Sequence, residues 1–315
     1  MRRRERAGLV LLATPFVVGG VVGASAAGPS GGHEVCAFSD PAITEASGLV
    51  AAGGQLVTMN DSGDSARVFT LDASTCRTIG VTHWHADPED DEGLAPGGPG
   101  HVWVGDIGDN FVARKTITVA RVPFGRGDRT VPGESHTLAY PDGPHDAETL
   151  LRDPTTGRLY VVSKEFIGHV YAAPARLTGG VNEMTELPTS VIGLATDGAF
   201  FPDGKHLILR NYGQASIYTW PALDRIATID LPHQQQGEGI AVGADDRVYL
   251  SSEGDDAPVL ELKLPALDPT PTSVAPPRAT DDGVPGGPEG WRLPIIGGLL
   301  AVVAAAGFFV VRRRR

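Results

Sequence analysis

The 315-residue chain is short of basic side chains, with 26 Lys and Arg against 38 Asp and Glu. The ends hide part of that shortage. Residues 1–26 hold four Arg and one Glu, and residues 291–315 hold five Arg. Residues 27–290 keep 17 basic and 37 acidic side chains, a net of −20. Binding a phosphate backbone needs clustered Lys and Arg, so this balance argues against nucleic acid as a partner. Cations or a crowded cell-wall setting suit it better. Cysteine is scarcer still, with only Cys36 and Cys76. Helical periodicity is missing: no segment between Ser30 and Pro265 sustains it over three turns. Neither a G-x-S-x-G elbow nor a Walker-type loop occurs, so serine-hydrolase and nucleotide-binding readings have no motif to rest on.

The two ends point to export. Met1-Arg2-Arg3-Arg4-Glu5-Arg6, an apolar stretch over Ala7–Val22 and small residues around Ala24-Ser25-Ala26 read as a signal peptide spanning 1–26. The alternative is an uncleaved anchor. Leu293–Val311 is 19 residues without a charge, followed by four arginines. As a helix it rises about 28 Å, enough for a bilayer core. Trp291 sits at the interface position, and Arg312–Arg315 mark the cytoplasmic side. Leu293-Pro294-Ile295-Ile296-Gly297 also resembles a sortase sorting signal, with Ile296 where that signal carries Thr. Residues 266–290 contain six prolines and read as a semi-rigid stalk. The expected organisation is a globular ectodomain at 33–265, the stalk, and a single transmembrane segment at 291–315. The ectodomain would lie outside the cell and the C-terminus in the cytoplasm.

Inside the ectodomain a pattern returns five times. Its runs begin at Ser47-Gly48-Leu49, Glu92-Gly93-Leu94, Glu148-Thr149-Leu150, Asp197-Gly198-Ala199 and Glu238-Gly239-Ile240, at spacings of 45, 56, 49 and 41 residues. Short strands repeating every 40–50 residues are the mark of a β-propeller. The expected fold class is therefore all-β, a propeller of five blades. Six is the alternative, because the 56-residue gap leaves room for further strands. The fifth copy lacks a fourth strand, which Glu34–Phe38 can supply from the N-terminal side and so remove the last open edge. Cys36 and Cys76 would then lie in adjoining blades, and an oxidising compartment favours a disulfide between them.

A propeller brings the start of each first strand and the end of each second strand to one rim. That rim would gather Glu45, Glu92, Glu148, Asp197 and Glu238 with Asn60-Asp61, Asp106, Asp109-Asn110, Lys164-Glu165, Arg210-Asn211 and Glu253. So many carboxylates repel one another unless a cation joins them, and an all-oxygen set suits calcium. The candidate metal ligands are Glu92, Asp106, Glu148, Asp197 and Glu238. Lys164 and Arg210 would help to hold phosphate. The competing reading is turn chemistry, clearest at Asn60-Asp61-Ser62-Gly63 and Gly105–Asn110. His83-Trp84-His85, with His101 and His145, is a weaker zinc alternative.

The segments Asp91-Glu92-Gly93-Leu94-Ala95, Ala147-Glu148-Thr149-Leu150, Gly157–Glu165 and Gly237–Ala241 resemble the exported actinobacterial propeller proteins described as having phytase-like esterase activity. That resemblance implies a calcium-bridged, phosphate-facing funnel. It carries over Glu92, Glu148, Lys164, Glu165 and Glu238. The first copy departs with Ser47 in the acid's place. Two functions follow as expectations. One is a cell-surface binding module whose funnel takes a cation and an extracellular small molecule or cell-wall ligand. The other is a calcium-dependent phosphoesterase or esterase, with Glu148, Lys164, Glu165 and Arg210 as its catalytic set.

Overall fold

The computed structural model describes residues 31–61 and 63–264. The expected signal peptide, stalk and C-terminal membrane segment lie outside these residues. Among the described residues no helix is long and apolar enough to cross a membrane, and every regular element is a strand.

Five sheets form, one for each copy of the sequence pattern. Blade one holds β2 (Ala46–Ala52), β3 (Gln55–Asn60), β4 (Arg67–Asp72) and β5 (Thr78–Trp84). Blade two holds β6 (Asp91–Pro96), β7 (His101–Asp106), β8 (Ile117–Pro123) and β10 (Glu134–Ala139). Blade three holds β11 (Ala147–Arg152), β12 (Leu159–Ser163), β13 (Val170–Ala172) and β15 (Thr185–Glu186). Blade four holds β16 (Asp197–Phe200), β17 (His206–Arg210), β18 (Gln214–Thr219) and β19 (Arg225–Asp230). Blade five holds β20 (Gly237–Val242), β21 (Val248–Ser252) and β22 (Pro258–Leu262), completed by the N-terminal β1 (His33–Ala37) paired antiparallel to β22. The inner strands touch in turn, β2 on β6, β6 on β11, β11 on β16, β16 on β20 and β20 on β2, so the ring of five is closed.

The recurring glycine explains how the inner strands approach so closely. A Cβ on Gly93 would lie 2.7 Å from the Leu150 Cβ of the next blade, and one on Gly239 would lie 2.9 Å from the Leu49 Cβ. Gly48 combines a 3.0 Å approach to Leu94 with φ +63°, which a side chain rarely adopts. Thr149 stands at this position in blade three, and the blade that follows carries the small Ala199 where the others carry Leu or Ile.

The apolar residues gather into five separate cores, each drawn from two neighbouring blades. Four of the five junctions carry a further link. Cys36 and Cys76 are disulfide-bonded across the closure of blades five and one. Two strands that were not expected from the sequence cross between blades. β9 (Arg129–Val131), from the β8–β10 connection, adds in parallel to β5. β14 (Val181–Glu183) adds in parallel to β10. The first accounts for the 56-residue spacing, because the extra length reaches back over blade one instead of forming a sixth. Gly80 admits it: a Cβ there would meet the Gly125 carbonyl oxygen at 2.2 Å. At the junction of blades three and four, Trp220 packs edge-on against Tyr160 and Phe200, with centroids 4.8 and 5.1 Å apart. Sheets, cores, closure and disulfide are all contained in residues 33–264, which makes this segment a self-contained folding unit.

Candidate functional site

The acids reach the funnel through local irregularities of the inner strands. Pairing slips between Ser47 and Leu49, Asp91 and Gly93, Ala147 and Thr149, and Gly237 and Ile240. Each bulge leaves a residue out of the ladder and re-aims its side chain. The unpaired residues include Glu92, Glu148 and Glu238, with Gly48 at the place in blade one. The inner strand pair of blade four has no bulge: Asp197 faces Arg210 in continuous register.

That difference divides the charged groups into a tied pair and an open set. Asp197 is fully buried, and its carboxylate accepts N–H bonds from Gly198 (2.7 Å), Ile240 (2.8 Å) and Leu49 (3.1 Å), linking blades four, five and one. Burial holds its carboxyl well above the usual range, against the opposing pull of these three donors and the nearby Arg210 charge. Arg210, also fully buried, donates from Nη1 to the carbonyls of Gly239 (3.1 Å) and Ser251 (3.3 Å) and to Gln234 Oε1 (3.1 Å). Its Nε donates to the Asn211 carbonyl at 3.2 Å. These bonds tie blades four, five and one together, while the buried Arg210 Nη2 has no hydrogen-bond partner among the described residues.

The open set is different. Lys164 Nζ bonds Glu148 Oε1, and its positive charge also acts on Glu92 and Glu238. Ser47 Oγ donates to Glu92 Oε2 and to the Glu92 carbonyl, both at 3.0 Å. Ligand oxygens of Asp61, Asp90 and Glu92 lie within 4.8 Å of one another, so these three residues form a group that could hold a metal ion. Their mutual repulsion is strong. Burial, then the charges of Asp61 and Asp90, push the Glu92 carboxyl up to about 9. Burial and Asp61 push Asp90 up to about 6. Glu253, at the end of the second strand of blade five, is raised to about 7 by burial, Glu238, Asp61 and Glu45. Three buried carboxylate oxygens, Asp90 Oδ1, Glu148 Oε2 and Glu238 Oε2, have no hydrogen-bond partner among the described residues. A buried acceptor without a donor costs about 1–3 kcal/mol, so such atoms are expected where a ligand completes them.

The sequence candidates therefore separate. Glu92, Glu148, Glu238 and Lys164 share the funnel floor. Asp197 and Arg210 lie in the tie. Asp106 Oδ1 accepts the Asp90 N–H (2.9 Å) and pairs with Arg114 Nη1 (2.8 Å), which occupies it structurally. Glu165 turns away: its Oε2 accepts from Ser163 Oγ (2.9 Å) and its Oε1 faces His145 Nδ1 (3.3 Å). His145 is further bonded to Tyr171 Oη (2.9 Å) and packs edge-on against Tyr140. His101 lies at the start of β7, away from the rim, with Nδ1 on the Pro99 carbonyl. The residue the sequence reading missed is Asp90. Its signal was present: in the run Glu89-Asp90-Asp91-Glu92, residues 90 and 92 share one face of an extended chain. Asp91 faces the other way, where burial, Asp106 and Asp90 raise it to about 8.

An acidic funnel of this kind can do two things chemically. It can bind a hard cation through oxygen ligands, and it can present one ammonium, Lys164, beside that cation. No family model and no curated protein matches the chain.

Proposed function

We propose that this protein is a cell-surface binding module whose propeller funnel holds a divalent cation, best calcium, at Asp61, Asp90 and Glu92, and takes an extracellular ligand above it. The observation that carries the reading is the convergence of these three carboxylates within 4.8 Å around the unpartnered Asp90 Oδ1. An oxygen-only donor set with buried negative charge fits calcium and offers none of the nitrogen or sulfur ligands that zinc prefers. A bound cation would supply positive charge to the funnel and a point of attachment for an anionic or hydroxyl-bearing ligand. The proposal also places the propeller outside the cell, on a stalk anchored through residues 293–311.

The alternative is a calcium-dependent phosphoesterase or esterase of the phytase-like kind, and Lys164 beside Glu148 favours it. Two observations weigh the other way. Arg210 is fully buried, with Nη1 held by the Gly239 and Ser251 carbonyls, and Arg114 is paired with Asp106 and Glu89. Lys164 is then the cation left to meet a polyanionic substrate, and Glu165, the second acid of that catalytic set, faces His145.

Residues 27–290, stripped of metal, provide the test. Calcium at a hundredfold excess over Kd should raise the melting temperature by about 5–10 °C, by mass action on a domain of this size. Asp90→Asn should abolish the shift. Hydrolysis of p-nitrophenyl phosphate and p-nitrophenyl acetate is followed in the same samples. Calcium-dependent turnover lost in Glu148→Gln and Lys164→Ala would transfer the assignment to the enzyme. No melting shift at all would remove the cation from the reading.

A further inference from the structure

The rim around the funnel has two unlike sides. On blades two, three and four the connection from the second to the third strand carries an aromatic residue: Phe111, Phe166 and Tyr212. Phe111 and Phe166 are 92% and 91% exposed, and each is followed by an exposed β-branched residue, Val112 or Ile167. Leu194, on the segment entering β16, extends the same lip. On blades one and five the equivalent turns carry Gly63 and Gly254 with acids, and no aromatic. There the rim holds an open hollow of ≈ 610 Å³ lined by Glu45, Gln236, Glu253 and Asp255 among others. The mouth is apolar along one arc and acidic along the other, with the unpartnered Glu148 and Glu238 oxygens below.

The apolar lip is built, not loose. Asp109 Oδ2 accepts the N–H groups of Ala113 and Arg114, both at 2.7 Å, and Arg114 Nη1 donates to the Gly108 carbonyl at 2.7 Å. The Leu194 N–H donates to the Glu165 carbonyl at 2.7 Å, and a Cβ on Gly193 would meet the Phe166 oxygen at 2.1 Å. Val112 and Leu194 stand at φ 50° and 55°. Left-handed backbone costs such residues about 1–3 kcal/mol and persists where the surroundings over-determine it. Bulky apolar side chains are thus held in strained, exposed positions around an acidic opening.

We propose that this mouth docks an extended peptide segment of a partner protein, with apolar side chains on Phe111 and Phe166 and an adjacent Lys or Arg side chain entering the acidic side of the funnel. Charge complementarity selects this occupant: residues 27–290 carry −20, the hollow is acidic, and the buried Glu148 and Glu238 oxygens lack donors. An anionic membrane would meet the same charge as repulsion. The proposal deepens the binding-module reading, but it stands on the lip and the acidic arc rather than on the metal group.

The test is selection of a random heptapeptide display library on immobilised residues 27–290 in EDTA, so that the metal reading and this one fail separately. Enriched peptides should carry Lys or Arg next to Leu, Ile, Phe or Val. Synthetic copies should bind at least about tenfold more weakly to Phe111→Ser/Phe166→Ser, as expected for anchor residues. They should also weaken as salt rises. Both side chains are exposed, so the variant should melt with the wild type, which separates lost binding from lost fold. The absence of enrichment, enrichment of acidic or uncharged peptides, or equal binding to the variant would each overturn the proposal. So would sedimentation of the protein with phosphatidylcholine or phosphatidylglycerol vesicles that depends on Phe111 and Phe166, since the occupant would then be a lipid surface.

Discussion

Asp197 and Asp90 are both acids at the rim end of an inner strand, and both are buried, yet they do opposite things. Asp197 is completed by three backbone N–H donors and faces Arg210. Asp90 stands against Asp61 and Glu92 and keeps one oxygen without a partner. The first arrangement spends the charge on holding three blades together. The second leaves it to be satisfied from outside. Burial of a carboxylate therefore says little about its role until its donors are counted.

The largest effect should come from breaking the tie. Asp197→Ala leaves three buried N–H groups without their acceptor and removes the negative charge near the buried Arg210 guanidinium, and should cost about 3–5 kcal/mol in denaturant unfolding, with or without calcium. If the loss were below 1 kcal/mol, the distinction between tied and open acids would collapse. Lys164→Met comes next. It strips the Glu148 carboxylate of its partner and removes the charge that tempers Glu92 and Glu238. A cost of about 1–3 kcal/mol is expected in the metal-free protein.

The pH dependence sharpens the contrast. Glu92 at about 9, Asp90 at about 6 and Glu253 at about 7 hold protons in the fold that the unfolded chain gives up between about pH 4 and 5. The native state then binds more protons, so metal-free stability should fall as pH rises from about 5 to about 9. The turn acids Asp64, Asp153 and Asp203, held below the usual carboxylate range by their hydrogen bonds, act with the opposite sign and below that window. Calcium should flatten the fall, because it replaces the protons. Melting curves at five pH values with and without calcium measure this; a metal-free melting temperature that rises between pH 5 and 9 would contradict it. The smallest effect is Asp90→Asn, which relieves like-charge repulsion and should leave the metal-free protein within about 1 kcal/mol of wild type or slightly above it. A large destabilisation would instead make Asp90 a second Asp197.

The strands were legible wherever alternation and turn residues agreed. The five inner strands each open within one residue of the start of their run, and the closing strand sits within one residue of its expected place. β9 and β14 were not legible, because Arg129-Thr130-Val131 and Val181-Asn182-Glu183 carry no pattern of their own. They are strands only because a neighbouring blade offers an open edge. In the site, Lys164 and Arg210 looked alike in sequence, each ending a second strand. Their roles diverge because blade three has a bulge that lifts Glu148 from the ladder, whereas blade four keeps Asp197 and Arg210 in register. Asp90 stands outside the repeat, which shares one acid per copy, and only the alternation of the extended chain puts it on the face of Glu92.

The amino-acid sequence by itself determined the all-β propeller, the positions of its inner strands and the acidic character of one rim, since these rest on local alternation, turn chemistry and a repeat. The tertiary structure alone decided which acids are neutralised and which remain open. That choice depends on bulges, on donors brought from other blades and on the depth of burial, and none of these is encoded within the span of a single strand.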